Sequence, residues 1–281
     1  MDTHLATGHR AGLIAMPCLA CPEPGFNLDP NWKKITPKEL SYINRLHISQ
    51  DANFRNQLRK KTKHNPEDFS LFDGRAYYPP ERQFQDYLTT VVDSEQVCRF
   101  DTEYPQVQAH TVSGIMAAVC RHDCFRPGGQ NDLQRGEKSA NADYALHGAL
   151  TWVPIPDEVT HTYDIVCQYS KKIHQRWSKH FPQDVSLLDH LIHAIPKKHI
   201  VGHIEGCQIR YSCNHLEGFG HVYGEGIEAI WSEDNQQSSS LREMNAGCRH
   251  EVTDDNHLDW NARKIQRLCM SISLYFLHCY I

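Results

Sequence analysis

The sequence predicts an α/β fold, a sheet flanked by helices, and three observations predict it. Strand-like runs deliver aspartates, one over 42–50 ahead of Asp51 and one over 159–167 around Asp164. A third run, Gly114-Ile-Met-Ala-Ala-Val119, is short and apolar in the way of a buried strand. Segments of helical period lie between and after these runs, which is the interleaving of a sheet covered by helices.

Taken in order, residues 1–40 form an irregular lead-in rich in cysteine and proline, including Pro17, Cys18, Cys21, Pro22, Pro24 and Pro30. The core is expected over 41–265. Its first strand, 42–50, carries Asn44, Arg45 and Gln50 and is more polar than a central strand should be. A turn-rich link with Asp73-Gly74 and Pro79-Pro80 precedes a helix near 81–97, where Phe84, Tyr87, Leu88, Val91 and Val92 supply an apolar stripe. A helix is expected at Asp143–Leu150. The strand at 159–167 places Asp164 inside the sheet. Helical spacing then runs over 168–195 through Tyr169, Ile173, Trp177, Leu187, Leu188, Leu191 and Ile192. Residues 198–206 carry spaced histidines. A helix at 223–235 presents Glu225, Glu228 and Trp231 at three-residue steps on one face. Residues 266–281 form an apolar, atypical tail.

Composition limits the function. The chain has 281 residues, a formal charge of −5 and a pI near 6.4, so it does not coat nucleic acid through overall positive charge. A local stripe could still meet phosphates; Arg55, Arg59, Lys60, Lys61 and Lys63 form one candidate, with a solvated face as the alternative. No run of about eighteen apolar residues suggests a membrane span. No Gly-Lys-Ser/Thr phosphate loop and no protease word around Cys167 appear. Eleven cysteines and nineteen histidines are the compositional outlier. Without a signal-peptide pattern in residues 1–20, a reducing compartment is expected, where such residues read as metal ligands or buried thiols.

Two kinds of metal chemistry are legible. Acidic residues in Asp51-Ala-Asn-Phe-Arg55, Tyr163-Asp164-Ile-Val-Cys-Gln168 and Gly224-Glu225-Gly-Ile-Glu228-Ala-Ile-Trp231 sit on three separate elements. Oxygen ligands of this type are what a pair of hard divalent cations requires in phosphoryl transfer. Separately, Cys120-Arg-His122 and His199-x3-His203 supply four borderline-soft donors, enough for a closed tetrahedral zinc site. Cys124 and Cys207 are alternative donors, and buried thiols with locally bonded histidines are the competing reading. Cys18-x2-Cys21 is half of a zinc ribbon with no second close pair, or a turn held by Pro22.

An ordered series of words resembles the KDZ (Kyakuja–Dileera–Zisupton) transposases, a group of fungal DNA transposons. It begins with Cys18-Leu-Ala-Cys21-Pro-Glu-Pro-Gly25, Asp51-Ala-Asn-Phe-Arg55, Cys120-Arg-His122, Gly136-Glu137 and Asn141-Ala-Asp143-Tyr144. It continues through Tyr163-Asp-Ile-Val-Cys-Gln168, His199-Ile-Val-Gly-His203-Ile-Glu-Gly-Cys207 and Gly224-Glu-Gly-Ile-Glu-Ala-Ile-Trp-Ser232. It closes on Arg249-His-Glu251, Asp254-Asp255 and Trp260-Asn261. The resemblance implies a ribonuclease-H-like mixed sheet with helical and Cys/His-containing insertions. It implies an Asp–Asp–Glu catalytic set of Asp51, Asp164 and Glu228, with Glu225 competing for the third place, holding two Mg²⁺ or Mn²⁺ ions. The implied activity is metal-dependent DNA cleavage and strand transfer, with transposon ends and target DNA as partners, a homo-oligomer as the working form, and a nuclear location. The resemblance implies an upstream cysteine-rich DNA-recognition region that this sequence lacks, and with the unusual C-terminal run Leu268 to Ile281 this leads to the expectation of a truncated copy. The rival expectation is an inactive, zinc-stabilised remnant, or a domesticated DNA- or protein-binding module.

Overall fold

The computed structural model describes residues 14–62, 65–91, 110–219, 222 and 224–279, with side chains described as far as Leu268. In chain order the elements are α1 (Trp32–Ile35), β1 (Leu46–Asn53), β2 (Leu58–Arg59), α2 (Glu81–Thr90), β3 (His110–Val112), β4 (Gly114–Cys120), β5 (Phe125–Leu133) and α3 (Ser139–Thr151). There follow β6 (Val159–Thr162), α4 (Val166–Tyr169), α5 (Ile173–His180), β7 (Leu191–Ala194), α6 (Glu205–Tyr211), α7 (Gly226–Asp234), α8 (Ser238–Glu243) and α9 (Ala246–Cys279).

Five strands form one mixed sheet in the order β5-β4-β1-β6-β7. β5, β4 and β1 are antiparallel neighbours, whereas β1, β6 and β7 run parallel. This is the ribonuclease-H-like topology, with β1 at the centre. One face is covered by α3, α4 and α5, where Leu46, Ile48, Met116, Leu146, Leu150, Tyr163, Tyr169 and Trp177 make the main core. Ile115, Ala117, Val119 and Phe125 pack the other face against Tyr77, Ile227, Ile230 and Trp231.

The polar character of β1 has a packing reason. Gln50 is buried, donates to the Ala142 carbonyl at 2.7 Å, and faces His161 Nε2 of β6 at 2.9 Å. Buried amide and imidazole groups satisfied in this way are tolerated in a central strand.

Several element boundaries differ from the sequence expectation. The first strand begins at Leu46, after a 3₁₀ turn at Lys38–Asn44, and Asp51 lies within it. The strand expected to contain Asp164 ends at Thr162, so Asp164 sits in the following turn. The helical run over 168–195 breaks into α4, α5 and a 3₁₀ turn (Val185–His190) before β7, because Leu191 and Ile192 belong to the sheet. The helix at 81–97 ends at Thr90, and its expected last residues, 92–97, lie outside the described set, as do residues 1–13 of the lead-in.

β5 contains Pro127-Gly128-Gly129, which no strand propensity favours, yet it is an edge strand where proline and glycine are admissible. Gly128 has φ +66°. α3 lies so close that a Cβ added to Gly148 would overlap the Gly128 carbonyl oxygen. Gly148→Ala is therefore expected to force the helix off the sheet and destabilise by about 3 kcal/mol in chemical denaturation. Gly202→Ala, where an added Cβ meets nothing within 4 Å, serves as the near-neutral control.

Candidate active site and metal centres

Asp51 and Asp164 are brought near one another by the β1–β6 pairing. In the parallel pair β1–β6, Ser49 lies opposite Thr162, and their hydroxyls are bonded at 2.7 Å. Asp51 lies two residues further along β1, and Asp164 sits in the turn just past the end of β6, close enough for its charge to act on Asp51. Burial pushes the Asp51 carboxyl up to about 7, and repulsion from Asp164 adds to it. Burial raises Asp164 as well.

α7 delivers the remaining acids. Trp231 Nε1 donates to Asp51 Oδ2 at 2.9 Å, which fixes this helix against β1. The indole, read from sequence as a core aromatic, thus also orients a carboxylate. Glu228 lies one helical turn before Trp231 on the same face. Glu225 occupies the N-cap position, where its Oε1 accepts the Lys198 backbone N–H at 2.5 Å. Its buried Oε2 accepts no hydrogen bond among the described residues.

His199 contacts Glu225 and Glu228. Its Nε2 lies 2.6 Å from Glu228 Oε1 and 3.8 Å from Glu225 Oε2. Burial opposes its charge, but the Glu228 bond and the charges of Asp164 and Glu225 raise its pKa. Burial opposes the charge of Glu228 too, yet His199 and the exposed Lys198 at 3.3 Å hold it below the usual range. Carboxylates of this kind suit hard divalent cations, but among the described residues the acidic set whose ligand atoms fall within 4.8 Å of one another is His199, Glu225 and Glu228, and neither Asp51 nor Asp164 belongs to it.

The four expected zinc donors do not meet. Cys120 and His122 lie at the β4–β5 turn with Cys18 and Cys21, whereas His199 joins Glu225 and Glu228, and His203 joins Cys167 and Cys207. The reason is topological. Cys120 and His122 stand at the β4–β5 turn, and residues 199–207 follow β7, which β1 and β6 separate from β4 in the sheet.

Cys18-x2-Cys21 finds its second half about a hundred residues away. His122 Nδ1 lies 3.4, 3.7 and 3.9 Å from the sulfurs of Cys18, Cys21 and Cys120. A tetrahedral zinc with bonds of about 2.0–2.3 Å sets its ligand atoms about 3.5–3.8 Å apart, so the cluster fits zinc. Burial works against charge here, but thiol hydrogen bonds from Cys124 and Cys21, with His122, bring Cys120 down to about 6. Burial likewise opposes a charged His122, and the neighbouring sulfurs overcome it and raise the imidazole to about 10. Asn27 braces the Cys-x2-Cys turn by donating to the Leu19 and Cys21 carbonyls at 3.1 and 2.7 Å.

The remaining family-like words serve the scaffold. Arg249 clamps both oxygens of Asp132 at 2.7 and 2.9 Å, and His250 adds a contact at 2.9 Å. Asn261 accepts the Phe125 N–H at 2.8 Å and donates to the Met16 carbonyl at 2.7 Å. Glu137 accepts the Tyr163 hydroxyl, and Asp143 pairs with the buried Arg176. The basic stretch after Asp51 is partly neutralised: Arg59 pairs with Glu243 at 3.1 Å and Lys61 donates to the Glu243 carbonyl. Arg55 and Lys60 stay exposed, and Lys63 lies outside the described residues. Among the described residues, no helix is long and apolar enough to cross a membrane.

No match was found among curated proteins or solved structures. The family model for the Kyakuja-Dileera-Zisupton transposase, however, matches residues 44–261, which contain the whole sheet, both aspartates and α7. The chain belongs to the KDZ transposase family.

Proposed function

We propose that the chain is the catalytic core of a DNA transposase, cleaving and joining DNA strands with Asp51, Asp164 and Glu228 as ligands of two Mg²⁺ or Mn²⁺ ions. What supports this reading is the charge coupling of Asp51, on β1, with Asp164, just past the paired strand β6, together with the Trp231–Asp51 bond that ties α7 to β1. When bound, such ions activate the attacking oxygen and stabilise the leaving one. The protein groups supply position. Trp231 holds Asp51 in one orientation, the Ile165 N–H fixes Asp164 Oδ1 at 2.7 Å, and His199 aims Glu228. Glu228 is preferred to Glu225 because it lies a single turn from the Asp51-bound indole, whereas Glu225 is two steps of three residues away and tied to the Lys198 backbone.

Cys18, Cys21, Cys120 and His122 would hold a structural zinc ion. DNA ends and target, a homo-oligomeric working form and a nuclear location follow from the family alone. The inactive-remnant reading rests on one observation, the ion pairing of Glu228 with His199 and Lys198.

Nicking of supercoiled plasmid in Mn²⁺ separates the two. The folded wild-type chain is expected to nick, with Asp164→Ala at least about 10³-fold slower and Glu228→Gln about 10²–10³-fold slower. Glu225→Gln retains most of the rate. A folded, zinc-loaded wild-type chain that nicks no faster than Asp164→Ala is a remnant.

A further inference from the structure

Residues 199–211 lie next to the acidic cluster, yet little apolar burial holds them. α6 has no buried residue, and Val201, Ile204 and Ile209 are 78, 76 and 63 % exposed. Among the described residues only Cys207 and Tyr211 of α6, with Ile200 before it, pack on the main core, a thin apolar hold for a seven-residue helix. The segment nonetheless carries His199, which bonds Glu228.

The Ile195 N–H bonds the Tyr211 carbonyl at 2.9 Å at one end of the segment, and a triangle of soft donors joins its middle to the chain after β6. Cys167 is buried in the first turn of α4, three residues after Asp164. His203, just before α6, and Cys207, in its first turn, stand four apart. Cys167 Sγ lies 3.6 Å from His203 Nδ1, and the three ligand atoms all fall within 4.8 Å of one another. Both cysteines are free thiols.

We propose that Cys167, His203 and Cys207 bind a second zinc ion, distinct from the one at Cys18, Cys21, Cys120 and His122, which fastens the segment carrying His199 to the chain carrying Asp164. The donor set of two sulfurs and one imidazole selects zinc over magnesium or manganese. The Cys167–His203 separation of 3.6 Å is that of two ligands on one tetrahedral ion, and Cys207 lies within 4.8 Å of both, near enough to close on such an ion. Three protein donors leave one position for water, and the half-buried setting of His203 and Cys207 admits it. The site is a positioning device: it touches no reacting atom and acts through His199.

The test is metal content by mass spectrometry on the full-length chain purified with zinc. Two zinc ions per chain are expected. Cys207→Ser should lower this to one, Cys207→His should restore two, and Cys18→Ser/Cys21→Ser should also leave one. Because α6 has no buried residue, Cys207→Ser is expected to keep its circular dichroism spectrum while limited proteolysis within 196–211 quickens several-fold. Cobalt substitution gives a second readout, since the two sites differ in thiolate number and therefore in charge-transfer intensity. A wild-type content of one ion that survives Cys207→Ser overturns the proposal, as does a Cys167–Cys207 disulfide found in its place. A single ion lost on Cys207→Ser but kept in Cys18→Ser/Cys21→Ser supports this site and removes the other. None of these readings depends on DNA cleavage.

Discussion

The double substitution Cys18→Ser/Cys21→Ser is expected to release one zinc ion and lower the melting temperature by about 10 °C. The expectation follows from what the cluster joins. The Cys-x2-Cys turn belongs to the lead-in, and Cys120 and His122 belong to the turn between β4 and β5. Among the described residues, the lead-in is tied to the core elsewhere too: the Ile14 and Ala15 N–H groups reach the Arg75 carbonyl, Ala15 is buried in the Tyr77 cluster, and Lys33 pairs with Asp157 at 2.6 Å, so zinc is one of several fastenings. The Met16 carbonyl meets Asn261 and Tyr77, and Asn27 braces the turn only against its own backbone. Structural zinc contributes about 10–16 kcal/mol of apparent binding energy in small domains. A chain with a large core of its own loses only part of this, about 3–5 kcal/mol, and each kcal/mol moves the melting point of a domain of this size by about 2–4 °C. The double change is needed because Cys124 lies within hydrogen-bonding reach of Cys18 and Cys120 and can replace one lost sulfur, though not two. Cys124→Ser alone is therefore expected to keep its zinc and its melting temperature. A calorimetric scan of both variants, with and without a strong chelator, decides the matter. If the double variant melts with the wild type and the chelator changes neither, the cluster is a set of buried thiols.

The zinc cluster also shows where sequence reading stops. Cys18-x2-Cys21 is legible as half a site, but its other half, Cys120 and His122, is brought to it by tertiary folding that no local spacing encodes. The same limit explains the histidines: His199 and His203 stand four apart, as two ligands on one helix would, yet a 3₁₀ turn (Ile200–Gly202) separates them and turns them toward different clusters. The mixed sheet and its aspartates are more accessible, because β1 and β6 are short runs flanked by turn residues, and α7 shows its three-residue steps plainly. β5 escapes a reading by propensity, since Pro127-Gly128-Gly129 defies it, and only its edge position and the close approach of Gly148 account for the strand. β7 hides inside a helical pattern because Leu187, Leu188, Leu191 and Ile192 fit helical spacing while only the last two enter the sheet. Short apolar runs carry that ambiguity intrinsically. Trp231 illustrates a third limit: an indole donating to a carboxylate reads in sequence like any core aromatic.

Asp51→Asn is expected to raise the stability of the metal-free chain at pH 8 while abolishing its stabilisation by Mn²⁺. The Asp51 carboxyl, near 3.8 in an unfolded chain, stands at about 7 in the fold because of burial first and Asp164 second. The native state then binds more protons than the unfolded state between these values, so stability falls as pH rises from about 4 to about 7. A pKa difference of one between the folded and unfolded states is worth about 1.4 kcal/mol, and solvent screening of a half-buried group brings the total to about 2–4 kcal/mol. Asparagine keeps the shape and an acceptor for the Trp231 N–H while removing the charge. At pH 8 the variant should therefore melt above the wild type, and near pH 4 the two should coincide. Divalent cations reverse the order, because they offset the repulsion that the wild type alone carries. Wild-type stabilisation by Mn²⁺ should be larger at pH 8 than at pH 6 and nearly absent in Asp51→Asn. A variant that melts below the wild type at pH 8 without metal would mean that the carboxylate is a structural acceptor for the indole. In that case the aspartates were brought together for packing, and the catalytic reading would lose its first ligand.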